Sequence, residues 1–177
     1  MDLEAAVVLP DARMLAFGSG SARARESIVI IEPDAGVRVR RGPGLYSRLR
    51  RHCEAVGTEL NIEGAVIQGH RLRLFQRGNG ARVADGQSGS LVFDVDLARL
   101  LRWLDGRGPV PVVTDVLSVD LGAIDGVPFG FTDAAVVNDG RIAFVACAEE
   151  SVNVRGDGPV IGCRFGWLDD AGAQVTD

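Results

Sequence analysis

Lysine is absent from these 177 residues, and all 19 basic side chains are arginine. That bias fits genome base composition and carries no functional message. Histidine occurs only as His52 and His70, and neither sits in a setting that suggests a Ser-His-Asp triad. Cysteine occurs three times, as Cys53, Cys147 and Cys163. The number is odd and no C-x-x-C pair occurs, which argues against a zinc site or a disulfide framework. The three read as buried reduced thiols, so a reducing, cytoplasmic compartment is expected. No apolar run approaches the roughly 18 residues that a membrane helix needs, and no signal-peptide pattern opens the chain. Positive charge is also in short supply. A net charge of −5 and a pI near 5.1 argue against nucleic acid or an anionic membrane as the main partner, since both require a basic face.

What is present is a succession of short apolar segments bounded by turn residues. Alternating or aliphatic runs at Ala5–Leu9, Met14–Phe17, Ser27–Ile31, Val37–Arg41, Gly64–Ile67, Arg71–Gln76, Ser90–Val95, Val112–Leu121, Ala134–Val137, Arg141–Cys147 and Val160–Trp167 predict strands. Two helices interrupt them. Leu45, Leu49, Cys53 and Val56 form one helical stripe, and Leu97, Leu100, Leu101 and Leu104 form another behind Asp96 as N-cap. The arginines Arg38, Arg40, Arg41, Arg48, Arg50 and Arg51 fall on the solvated side of an outer strand and of the first helix. The length suits one domain over residues 1–177, because a chain of about 150 residues already buries roughly 70% of its unfolded surface.

An internal repeat organises these segments. Glu4-Ala5-Ala6-Val7-Val8, Glu63-Gly64-Ala65-Val66-Ile67 and Asp133-Ala134-Ala135-Val136-Val137 share the order acid, small, Ala, Val, aliphatic. Each is followed by a turn, then by Arg13, Arg71 or Arg141, then by a second apolar strand. Units of this size with about four strands apiece predict an all-β chain that forms a partial β-propeller of about three four-stranded blades with short helical insertions. The blade-like units would be residues 1–60, 61–130 and 131–177. Small residues at the second and third positions would let inner strands crowd together near an axis.

The stretches "LEAAVVLPDARMLAFGSGS", "LNIEGAVIQGHRLRLFQRGN" and "GVPFGFTDAAVVNDGRIAFVACAEES" resemble an uncharacterised bacterial propeller family. That family is distantly similar to esterase-like, phytase-like propeller domains. The resemblance implies a fold and brings no catalytic residues with it. Three blades would leave two apolar faces in water. The expectation is therefore either a homodimer that completes the ring or the remainder of a longer chain.

Within such a hairpin the start of the first strand and the end of the second share one face. Glu63 is then expected to face Arg77 and Asn79, Asp133 to face Glu149, and Glu4 to join them. The candidate ligand-binding set is Glu63, Arg77, Asn79, Asp133 and Glu149, with Phe129 and Phe131 as apolar wall. Two arrangements would satisfy the acids. Glu4, Glu63, Asp133 and Asn61 could hold Ca²⁺ or Mg²⁺ through oxygen ligands, or Glu63 could pair with Arg77 while the others bond backbone amides. The functional expectation is a scaffold that binds a small-molecule ligand or a protein on a carboxylate-lined axial face. The alternative is metal-assisted hydrolysis of a small lactone, ester or phosphoester.

Overall fold

The computed structural model describes residues 2–34, 36–78, 89–150 and 158–169, and the backbone of 172–176. Each repeat hairpin forms, and each extends into its own antiparallel sheet. In the first sheet β1 (Leu3–Val8), β2 (Met14–Gly18), β3 (Ser27–Glu32) and β4 (Gly36–Arg41) pair in chain order. Helix α1 (Pro43–Ala55) follows, with proline in its first turn, where no amide partner is lost. The second sheet is β5 (Ile62–Gln68), β6 (Arg71–Gln76), β7 (Ser90–Asp96) and β8 (Val113–Val119). Between β7 and β8 lies α2 (Leu97–Leu104), capped by Asp96, whose carboxylate accepts the Arg99 amide at 2.8 Å.

The third sheet has five strands: β9 (Ala123–Ile124), β10 (Val127–Val136), β11 (Ile142–Glu149), β12 (Val160–Asp169) and β13 (Gly172–Thr176). They pair in the order β13-β12-β11-β10-β9.

These sheets correct the expected fold and the resemblance that supported it. The ladders run only within each sheet, the third sheet has one strand too many for a four-stranded blade, and the sheets are not curled or closed into a propeller. The repeat specifies hairpins. Closure would require contacts between the first and last sheets, which no hairpin pattern encodes.

Two cores hold the sheets together. Ala65, Leu74 and Phe93 point to one side of the second sheet and pack with Leu15, Phe17, Ile28 and Ile30 of the first, sealed by Leu45, Leu49 and Leu100 from the helices. Val66, Phe75 and Val92 point to the other side and meet Phe131, Ala134, Phe144 and Ala146 of the third. The alternation of a strand sends successive side chains to opposite cores. The small residues of the repeat serve the junctions between sheets, because β5 touches both β1 and β10. A Cβ on Gly64 would stand 3.2 Å from the Ala134 nitrogen, closer than such contacts ordinarily come.

Charge inside this arrangement is paired. Arg73 donates twice to Asp94, at 2.9 and 3.2 Å, and Arg71 reaches the same carboxylate at 3.1 Å. The six arginines expected on a solvated side are exposed or half-buried, and several also hold partners: Arg38 pairs with Glu32, Arg50 with Glu26, Arg48 bonds the Pro111 carbonyl and Arg40 lies over Trp103. Tyr46 of α1 sends its buried hydroxyl between the carbonyls of Gly18 and Ser27, tying the helix to the first sheet.

The thiol expectation is corrected as well. Cys147 and Cys163 lie directly opposite each other on β11 and β12, with Cα atoms 4.0 Å apart, and form a disulfide. Only the strand register brings them together, and the spacing of 16 residues does not reveal it. Cys53 stays free and buried, its thiol pushed up to about 12 chiefly by desolvation. Among the described residues no helix is long and apolar enough to cross a membrane.

The second core rests on Phe131, edge-on to both Phe75 and Phe144. Phe131→Ala is expected to cost roughly 3–5 kcal/mol in urea unfolding, whereas Val37→Ala on the exposed face of β4 should stay within about 0.5 kcal/mol. Similar costs for both would contradict the placement of the core.

Candidate functional site

The charged group forms where β5 begins and β6 ends. Ile62 pairs with Gln76, and Arg77 donates its amide to the Asn61 carbonyl at 2.9 Å. A register shift between Ile62 and Gly64 makes Glu63 a bulge residue. A bulge leaves one residue outside the ladder and turns its side chain aside. Here it brings the Glu63 carboxyl to the Asn61 side-chain amide at 2.6 Å and to Arg77 Nη1 at 3.4 Å.

Arg77 reaches across to the third sheet. Its Nη2 bonds Glu149 Oε2 at the end of β11, and the other oxygen of Glu149 accepts the Gly158 amide at 2.6 Å. The guanidinium thus joins an acid of the second sheet to one of the third. The main chain is equally close: a Cβ on Gly130 would stand 2.0 Å from the Arg77 carbonyl, so no side chain fits there. Glu63, Arg77 and Glu149 have side chains only 12%, 13% and 7% exposed.

Burial decides the protonation of Glu63. Desolvation pushes its carboxyl up to about 7, Arg77 opposes the shift, and the charge of Glu4 adds to it. Desolvation prevails because the single guanidinium serves two acids and stands 3.4 Å from this one.

Of the residues read as a ligand set, Glu63, Arg77 and Glu149 come together, as the pairing alternative for Glu63 anticipates. Asp133 does not join them: it is exposed on β10, and its carboxylate accepts the Ala134 amide at 2.8 Å. Asn79 lies outside the described residues. Phe131 is buried in the second core, and Phe129, also part of that core, lines a recess with Ile124, Cys163 and Arg164 rather than with the carboxylates.

The Ca²⁺ or Mg²⁺ site expected from Glu4, Glu63, Asp133 and Asn61 is overturned by the same geometry. Among the described residues no group of three or more His, Cys, Asp or Glu is placed to hold a metal. The reason lies in the bulges, which fall at Glu4, Glu63 and Thr132. Alignment by acid identity matches Asp133 to Glu63, but the structural counterpart of Glu63 is Thr132. Asp133 therefore stands one residue out of phase. The metal-assisted step loses the ligand set on which it was argued.

Sequence reading missed the Gly158 amide on Glu149 and the buried Arg73–Asp94 pair. The first follows from the register of β11 and β12, which the residues do not announce. The second had a sequence signal, since arginines alternating with Leu72 and Leu74 in a strand buried on both sides require a partner. Among known proteins, residues 1–177, the whole chain, match a family described as "Family of unknown function (DUF6910)". No curated protein matches the chain.

A carboxyl raised from 4.5 to about 7 binds its proton more tightly folded than unfolded. Its contribution to stability is therefore complete below about pH 4.5 and is lost as pH rises through 7, on the order of 2–3 kcal/mol. Glu63→Gln, which mimics the protonated form, is expected to flatten urea stability between pH 5 and 8 relative to the parent. An unchanged slope in the variant would contradict the assignment. Arg77→Met, which strands two buried acids, should cost roughly 3–5 kcal/mol at pH 8 and less at pH 5.

Proposed function

The chain belongs to the DUF6910 family, and because that membership brings no activity with it, we propose from the geometry that it is a binding module whose charged end recognises a cationic group. One observation carries the reading: Glu63 and Glu149 share the single guanidinium of Arg77, and the field of exposed Glu4 is felt at Glu63. Among the described residues, two acids thus meet one guanidinium, which favours a negative potential at this end. Partly desolvated acids attract a cation more strongly than acids in open water. The Glu63 carboxyl gives the affinity a dependence on pH, since it offers full charge only above about 7.

The outer faces of the two end sheets support a second kind of contact. Val8, Val37 and Val39 are exposed on the first sheet, and Val145 and Phe165 on the third. Such apolar area favours association with another protein surface, and mass in solution tests it. A cytoplasmic home would set the Cys147–Cys163 pair in reducing surroundings, with the dithiol as its resting form.

Spermidine is a suitable cationic probe, with citrate as the oppositely charged control. Amide chemical shifts at Arg77, Glu149 and Gly158 are expected to move saturably with spermidine, more strongly at pH 8 than at pH 6, and not with citrate. Shifts scattered over exposed acids, or movement with citrate instead, would overturn the proposal.

A further inference from the structure

The strongest feature outside the charged group is the disulfide, and its setting is specific. Cys163 is exposed, whereas Cys147 is half-buried. The two lie beside exposed Val145 and Phe165, paired partners on the outer face of the third sheet. Beyond the disulfide the β11–β12 ladder is short. Ala148 pairs with Gly162 and Glu149 with Val160, with a register shift between Ala148 and Glu149, and a last bond runs from the Glu150 amide to the Pro159 carbonyl at 3.1 Å. Glu149 is therefore presented to Arg77 from the end of a ladder. The covalent link two residues away pins that end.

We propose that Cys147–Cys163 is a thiol-exchange site through which small thiols control the hold of Glu149 on Gly158 and Arg77. A small thiolate attacks the exposed Cys163 sulfur, forming a new sulfur–sulfur bond. The Cys147–Cys163 bond breaks with its electron pair on Cys147, which leaves as a thiolate and takes a proton from water. A second small thiolate attacks the small-molecule sulfur of the mixed disulfide and releases Cys163. Two small thiols are thereby oxidised to their disulfide, and the protein pair is reduced by two electrons.

Reduction removes the cross-link without removing any hydrogen-bonded partner. The core face of this sheet, with Phe144, Ala146 and Leu168, remains packed, so the sheet persists while its end opens locally. Glu149 then holds Gly158 and Arg77 for a smaller fraction of the time. The proposal concerns regulation of the same charged end, but it does not require that spermidine bind. Its readouts are thiol labelling and amide exchange, so failure of cation recognition and failure of thiol control are separable.

The test incubates the full chain with reduced glutathione under native conditions, alkylates with iodoacetamide and maps the labelled peptides. Labelling of Cys163 and Cys147 is expected, with buried Cys53 unlabelled as the internal control. In the Cys147→Ser variant, oxidised glutathione should be captured on Cys163 as a mixed disulfide. Hydrogen exchange at the Gly158 amide should accelerate roughly fivefold or more on reduction, the change expected when one hydrogen bond is weakened. Labelling that appears only in denaturant would overturn the exchange site. Gly158 exchange unchanged between the oxidised and reduced chain would overturn the control of Glu149.

Discussion

The second sheet has no solvent face along most of its strands, and that constraint shapes everything else. β5, β6 and β7 are buried nearly end to end, with one core on each side. A sheet buried on both faces cannot let a charged side chain turn to water. Any charge in it must be neutralised in place, because an unpaired ion in such surroundings costs several kcal/mol. Arg73 meets Asp94 in the middle of the sheet, and Arg77 meets Glu63 and Glu149 at its end.

The two clusters differ in what they leave over. Arg73 and Arg71 both bond Asp94 of the same sheet. Arg77 joins separate sheets, and it divides one positive charge between two acids. Burial holds the Glu63 carboxyl up at about 7, and the shared guanidinium only partly opposes it. The supporting geometry is tight on every side: Ser90 donates to the Arg77 carbonyl at 3.2 Å, and Gly130 leaves the gap into which that carbonyl fits. Chemistry at the disulfide can reach this group because Glu149 lies two residues from Cys147 on the same strand.

Local structure was legible in the residues to a useful degree. The acid-small-Ala-aliphatic repeat marked the three hairpins, and Asp96 before a leucine stripe marked α2 and its cap. What escaped were the relations that depend on register. Asp133 looks equivalent to Glu63 by identity, yet the bulge at Thr132 puts it out of phase. Cys147 and Cys163 look like separate buried thiols until pairing sets them face to face. A propeller was expected because repeated hairpins suggest closure, but hairpin patterning governs only contacts within a sheet. How sheets then stack is decided by side chains far apart in sequence, such as Phe75 with Phe131.

Arg77 is the polar tie between the second and third sheets. A double-mutant cycle of Arg77→Met and Glu149→Gln, read by urea unfolding at pH 7, measures that tie directly. Non-additivity of about 1–3 kcal/mol is the result expected of two groups in one buried network. Additivity within about 0.5 kcal/mol would show that the two side chains do not act together and would contradict the account.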